Sequence, residues 1–129
     1  MEFPDDLRYT ADHEWLRTMD DETTQVGVTD YAQDALGDVV YVGLPEVGRS
    51  VRAGEPIAEV ESTKSVSDVF SPLSGDVVAV NEALREAPEL INRDPYGEGW
   101  IVTIRPTGST DETAGLMDAA SYRDLVHKA

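Results

Sequence analysis

The chain has 129 residues, a length that fits one domain over residues 1–129 with a modest core of its own. Ten basic residues against 26 acidic ones give a formal charge of −16, which disfavours nucleic acid and anionic membranes as partners. There is no cysteine, so a disulfide scaffold, a thiolate metal site and a cysteine nucleophile are all excluded. No apolar run approaches the roughly 20 residues that cross a bilayer. The acidic start Met1-Glu2-Phe3-Pro4-Asp5-Asp6 is unlike a secretory signal or an Arg-rich transit peptide, and predicts a cytoplasmic protein.

Short β-type runs dominate the pattern in chain order. They are Gln25 to Val28, Val39 to Val42, Ser50-Val51, Pro56 to Glu61, Val66 to Phe70, Asp76 to Val80 and Trp100 to Ile104. Gly/Pro punctuation separates them at Leu44-Pro45-Glu46-Val47-Gly48, Ala53-Gly54-Glu55-Pro56 and Ser74-Gly75. This spacing predicts a mainly β sandwich or barrel and not a parallel α/β sheet.

The helical signals are brief. Thr29 is placed to cap Asp30 to Leu36, with Gly37 to end that helix. Asn81 can cap Glu82 to Ala87 before Pro88, and Ser109 with Glu112 has capping-box spacing. From Ala119 to Val126 the spacing puts Tyr122, Leu125 and Val126 on one helical face, to be buried along with Leu116 and Met117. Gly48-Arg49-Ser50-Val51 and Gly75-Asp76-Val77-Val78 echo one another on either side of position 64, a weak sign of two-fold pseudosymmetry.

Lys64 lies in Glu61-Ser62-Thr63-Lys64-Ser65-Val66-Ser67-Asp68, between two of the β runs. Small polar residues on both sides of one lysine between strands read as a hairpin tip. Its ammonium would stand in solvent, where an enzyme could attach a prosthetic group. An ordinary surface lysine on a solubilising turn has the same local pattern. His13-Glu14 invites comparison with His-Glu-x-x-His zinc sites, but position 17 is Arg17 and the other histidine is His127, so such a site is improbable. Asp94-Pro95-Tyr96-Gly97-Glu98-Gly99-Trp100 lacks the glycine spacing of a dinucleotide loop. It reads as a tight turn, with Trp100 packing in the core.

Seven segments, in order and spacing, resemble the H protein of the glycine cleavage system along almost the whole chain. They are Tyr9 to Trp15, Val26 to Gln33, Leu36 to Val40, Leu44 to Gly48, Val60 to Lys64, Ser71 to Gly75 and Asn92 to Trp100. The resemblance implies a flattened two-sheet barrel-sandwich hybrid of the lipoyl/biotinyl type, with short helices and a C-terminal helical segment. It implies a non-catalytic carrier, with lipoate in amide linkage to Lys64. Biotin carriers usually set their lysine between methionines, whereas Thr63 and Ser65 flank this one. A chain without thiols also suits a carrier of an external dithiol, because nothing internal could trap it as a mixed disulfide.

The same resemblance implies that an aminomethyl group from glycine is loaded at the glycine decarboxylase (P protein), a pyridoxal-phosphate enzyme. Unloading would follow at the aminomethyltransferase (T protein) with tetrahydrofolate, and reoxidation at dihydrolipoyl dehydrogenase (L protein). Glu14 would face the ammonium of the loaded arm, and Asp68 would help position it. Glu61 would be read by the lipoate-attaching enzymes. Plain structural roles stand beside these: Glu14 as a strand anchor, Asp68 and Glu61 as solvated carboxylates. Asp12 and Ala35 depart from family members that carry serine and histidine there, which leaves the details of arm docking open. A relay that passes lipoate to other complexes, and an unmodified scaffold on the same fold, are the rival readings.

Overall fold

In a computed structural model, residues 1–108 and 115–128 are described. The Ser109/Glu112 capping box lies outside them. The strands are β1 (Arg8–Tyr9), β2 (Glu14–Thr18), β3 (Thr24–Val28), β4 (Val39–Gly43), β5 (Ser50–Val51), β6 (Pro56–Ser62), β7 (Val66–Phe70), β8 (Gly75–Val80) and β9 (Val102–Pro106). The helices are α1 (Asp30–Leu36), α2 (Ala83–Glu86), α3 (Leu90–Arg93) and α4 (Ala119–Lys128). Two antiparallel sheets result, ordered β1-β2-β3-β9-β8-β5 and β4-β6-β7. The expected mainly β, two-sheet architecture with short helices is what forms.

The main core contains Leu16, Val26, Val60, Val77, Ile101, Val102 and Ile104, all buried. A second cluster joins Leu7, Tyr9, Trp15, Tyr96, Ala119 and Tyr122, and fixes α4 against β1 and β2. Here the period-2 rule breaks down. Glu14, Trp15 and Leu16 are consecutive and all buried, because that end of the sheet is covered on both faces. For this reason β2 carries no alternating signal, and β1, two residues long, is too short to give one.

The two echoing glycine segments are neighbours in space. β5 pairs with β8 through Ser50 opposite Asp76 and Val51 opposite Gly75. The predicted caps of α1 form as well, whereas α2 starts one residue later than expected, with Glu82 in place of Asn81 as its N-cap residue. Thr29 Oγ1 accepts from the Ala32 N–H at 3.2 Å, and Gly37 ends α1 at φ 81°, ψ −158°. Asn81 Oδ1 accepts from the Ala83 N–H at 3.2 Å.

One strand boundary and two packing expectations need correction. Trp100 and Ile101 precede β9: Asn81 Nδ2 donates to the Glu98 and Trp100 carbonyls at 2.7 Å each, while the Ile101 N–H still donates to the Val26 carbonyl at 2.9 Å. Trp100 is half-buried beside the second cluster and does not lie in the main core. Leu125 is 36 % exposed, because α4 docks through Ala119 and Tyr122 with Val126 partly covered, leaving Leu125 at the edge.

Trp15 sits opposite Gly27 in the β2–β3 ladder, its indole flat against a backbone that has no side chain. A Cβ on Gly27 would lie 2.6 Å from Trp15 Cζ2. The ring has little room to yield, since Nε1 donates to the Pro95 carbonyl at 2.9 Å and the Arg17 guanidinium lies 4.9 Å above its centroid. Gly27→Ala is expected to lower stability by about 1–3 kcal/mol, as overpacking does, read as an earlier midpoint in denaturant unfolding.

Candidate functional site

The tip is built by hydrogen bonds more than by packing. Ser62 N donates to the Ser65 carbonyl at 2.8 Å, while Ser62 Oγ accepts from the Lys64 and Ser65 N–H groups at 3.2 and 3.1 Å. The Thr63 N–H reaches the Asp38 carbonyl, 3.0 Å away, just beyond α1. That anchor is itself held by Asn92. Its Nδ2 donates to the Gly37 carbonyl at 2.8 Å and its Oδ1 accepts from the Val39 N–H at 2.9 Å. Lys64 thus stands exposed on a turn whose backbone is fixed from both sides. Its stem lies back over Gly37, where an added Cβ would come 3.2 Å from Lys64 Cε.

A pocket of about 280 Å³ opens beside this turn. Ser65, Ser67 and Asp68 line it from the hairpin, Tyr31, Ala35 and Leu36 from α1, Asp12 and His13 from the turn before β2, and Glu14 from the first position of that strand. Val28, Val60 and Val69 supply apolar wall. Glu14 and Asp68, expected as docking residues, therefore share one cavity, with the segment after Lys64 forming part of its edge. Asp12 and Ala35, the two departures, line the same pocket from different elements. Glu61 does not line the pocket. It is half-exposed on β6, opposite Tyr41 and Val66 in the ladder.

Glu14 is 2 % exposed. Its Oε1 accepts from Thr10 Oγ1 and its Oε2 from the Phe70 N–H, each at 2.9 Å, so the carboxyl group ties β2 to the end of β7. The strand-anchor role is present, and lone pairs remain for a ligand, since a carboxylate has about four acceptor sites. Burial pushes its pKa from 4.5 up to about 7, against the pull of those two hydrogen bonds, and the Asp12 charge adds to the rise. The one ion pair among the described residues, Arg85 with Glu82, is elsewhere. A cation entering this pocket would meet carboxylates that have no counter-charge.

His13 has no obvious sequence signal beyond its position. It adopts φ 68°, its ring is 4.7 Å from that of Tyr31, and burial lowers its pKa. Its Nδ1 meets the Tyr122 hydroxyl at 2.8 Å, a contact across 109 residues that no local pattern could reveal.

A fixed hairpin that offers one lysine beside an acidic, partly apolar pocket is the build of a carrier domain for a lysine-linked group. The family profile described as glycine cleavage H-protein matches residues 7–129. The glycine cleavage system H protein of Mycolicibacterium smegmatis is 56% identical over 127 residues, covering 97% of this chain and 97% of that one. The H protein of Anaeromyxobacter sp. (strain K) is 55% identical over 128 residues, covering 99% and 98%. The crystal structure of the H protein from Mycobacterium marinum superposes with a TM-score of 0.85 at 45% identity, covering 96% of this chain and 98% of that one. The chain belongs to the glycine cleavage H-protein family, the lipoyl carriers of the glycine cleavage system.

Proposed function

We propose that the chain folds as one carrier domain over its 129 residues and bears lipoate on Lys64 in amide linkage. The observation that carries this reading is the placement of the Lys64 turn at the pocket that holds Glu14, with Ser65, Ser67 and Asp68 in its wall. The residues fit the group. Lys64 is exposed for acylation, and the pocket combines apolar wall for a hydrocarbon arm with carboxylates for a cationic end. When bound, lipoate would supply a disulfide able to accept the aminomethyl group on one sulfur, the other becoming a thiol, and a dithiol open to reoxidation once that group has been removed.

The protein's own residues present, shelter and release that arm. Glu14 accepts from an ammonium, a charge-assisted contact strengthened by its burial, and Asp68 holds the same charge nearer solvent. The apolar wall keeps water from the reactive carbon. Glu61 sits in register between the exposed side chains of Tyr41 and Val66, a patch that suits reading by a lipoate-attaching enzyme. The partners that follow are the glycine decarboxylase, the aminomethyltransferase and dihydrolipoyl dehydrogenase, met in the cytoplasm. No helix among the described residues is long and apolar enough to cross a membrane.

Intact mass and peptide mapping of protein made with lipoate and a lipoate ligase test the attachment. One lipoyl increment on the Lys64 peptide is expected. Finding it on Lys128, or finding none, ends the proposal. Glycine–bicarbonate exchange with a cognate decarboxylase then separates a carrier of this system from a lipoate relay, which would take up the group and support no exchange.

A further inference from the structure

The C-terminal helix lies outside the pocket lining, yet one of its side chains is bonded to two of the elements that form it. Tyr122 is fully buried, and its hydroxyl lies 2.7 Å from Thr29 Oγ1 and 2.8 Å from His13 Nδ1. Thr29 caps α1, the helix that supplies Tyr31, Ala35 and Leu36 to the pocket. His13 lines the pocket directly and is followed in the chain by Glu14. The backbones are joined at the same point, where the Thr29 N–H donates to the His13 carbonyl at 3.0 Å. We infer that Tyr122 is a positioning residue for arm docking, its hydroxyl setting the His13–Glu14 end of β2 against the first turn of α1.

The proton arrangement supports a directed link. In the arrangement inferred here, Thr29 Oγ1, which accepts from the Ala32 N–H, donates its own O–H to the Tyr122 oxygen. Tyr122 then donates to His13 Nδ1, which requires a neutral imidazole with its proton on Nε2. Burial favours that neutral form. His13 is also held at a positive φ of 68°, which an L residue keeps only when its surroundings impose it. Its backbone N–H on the Thr10 carbonyl, its carbonyl under Thr29 and its ring on Tyr122 are those constraints. The Tyr122 ring contributes separately, through packing. It stacks on Tyr9 with centroids 4.7 Å apart and meets Phe3 edge-on at 5.8 Å. Packing and positioning can therefore be separated by removing one oxygen.

This inference rests on the docking reading of Glu14, and the experiment keeps the two apart. Full-length lipoylated protein is loaded with the aminomethyl group, and ammonia release is followed without the aminomethyltransferase in wild type, Tyr122→Phe and Glu14→Ala. Imidazole nitrogen NMR shifts of the unloaded proteins report the hydrogen bond at His13 Nδ1. Tyr122→Phe is expected to melt cooperatively, to shift the His13 Nδ1 resonance as that nitrogen loses its donor, and to release ammonia about 3- to 10-fold faster, the span of one hydrogen bond. Fast release from Glu14→Ala with wild-type release from Tyr122→Phe overturns the positioning role and leaves docking intact. Faster release with an unchanged His13 Nδ1 resonance also overturns it, since the link would not run through the imidazole. Wild-type release from both variants overturns docking itself, and this inference with it. Where Tyr122→Phe does not fold, His13→Gly cuts the same link from its other end and accepts the positive φ, with the same acceleration expected.

Discussion

Lys64→Arg should give a folded protein that takes up no lipoyl group and supports no glycine–bicarbonate exchange. The chain has two lysines, and the second, Lys128, ends α4. An ammonium with a pKa near 10.4 can shed a proton to become an acylable amine, whereas a guanidinium stays charged throughout any ligase's working range. Among the described residues, the lysine head takes part in none of the hydrogen bonds that hold the turn or in the ion pair. The turn is held by Ser62 Oγ, by the Ser65 carbonyl and by Thr63 on Asp38, all of which survive the exchange. The melting curve of the variant should overlay that of wild type, while its mass after ligase treatment stays that of the bare chain. Exchange activity in Lys64→Arg would place the arm elsewhere.

The hairpin could be read from sequence because its signals are local. Alternation in Pro56 to Glu61, small polar residues at the tip and the resumed strand at Val66 all lie within one short stretch. Thr29 and Gly37 are equally local, and both caps form. The pocket is a different case. Its walls come from the turn before β2 and that strand's first residue, from α1 and from the hairpin, and β2 shows no alternation, since Glu14, Trp15 and Leu16 are all buried together. Glu14 and Asp68 were expected there only through family resemblance. The supports behind the site had no signal at all. Asn92 holds Gly37 and Val39 across more than fifty residues, and Tyr122 reaches His13 from the far end of the chain. Leu125 shows the opposite failure: helical spacing put it on a buried face, while the helix in fact docks through Ala119 and Tyr122. Spacing fixes which residues share a face, but the angle at which the helix meets the sheets decides which of them are covered.

Glu14→Gln is expected to make the unloaded protein more stable and the loaded arm less well protected. The stability side follows from linkage. The Glu14 pKa is raised from 4.5 to about 7 in the fold, so between those values the folded protein holds a proton that the unfolded chain has lost. The contribution of this group is present in full below the unfolded pKa and is lost as pH rises through about 7. At 1.36 kcal/mol per pKa unit the loss is on the order of 3 kcal/mol. The substituted glutamine has no such charge to bury, and it can still accept from the Phe70 N–H through its amide oxygen while its NH₂ donates to Thr10 Oγ1. The variant's melting temperature should therefore exceed that of wild type by on the order of 10 °C at pH 8, with the gap closing by pH 5. Protection moves the other way. A neutral amide forfeits the charge-assisted share of the contact with the arm's ammonium, and a charged hydrogen bond is worth about 1.5–3 kcal/mol. Ammonia release from the loaded variant should accelerate by about tenfold or more. A carboxyl group serving only as a strand anchor would give a different pair of results: the variant would release at the wild-type rate, whatever its melting point. Greater stability at pH 8 together with faster release is the result expected if the fold keeps a buried charge for the arm it carries.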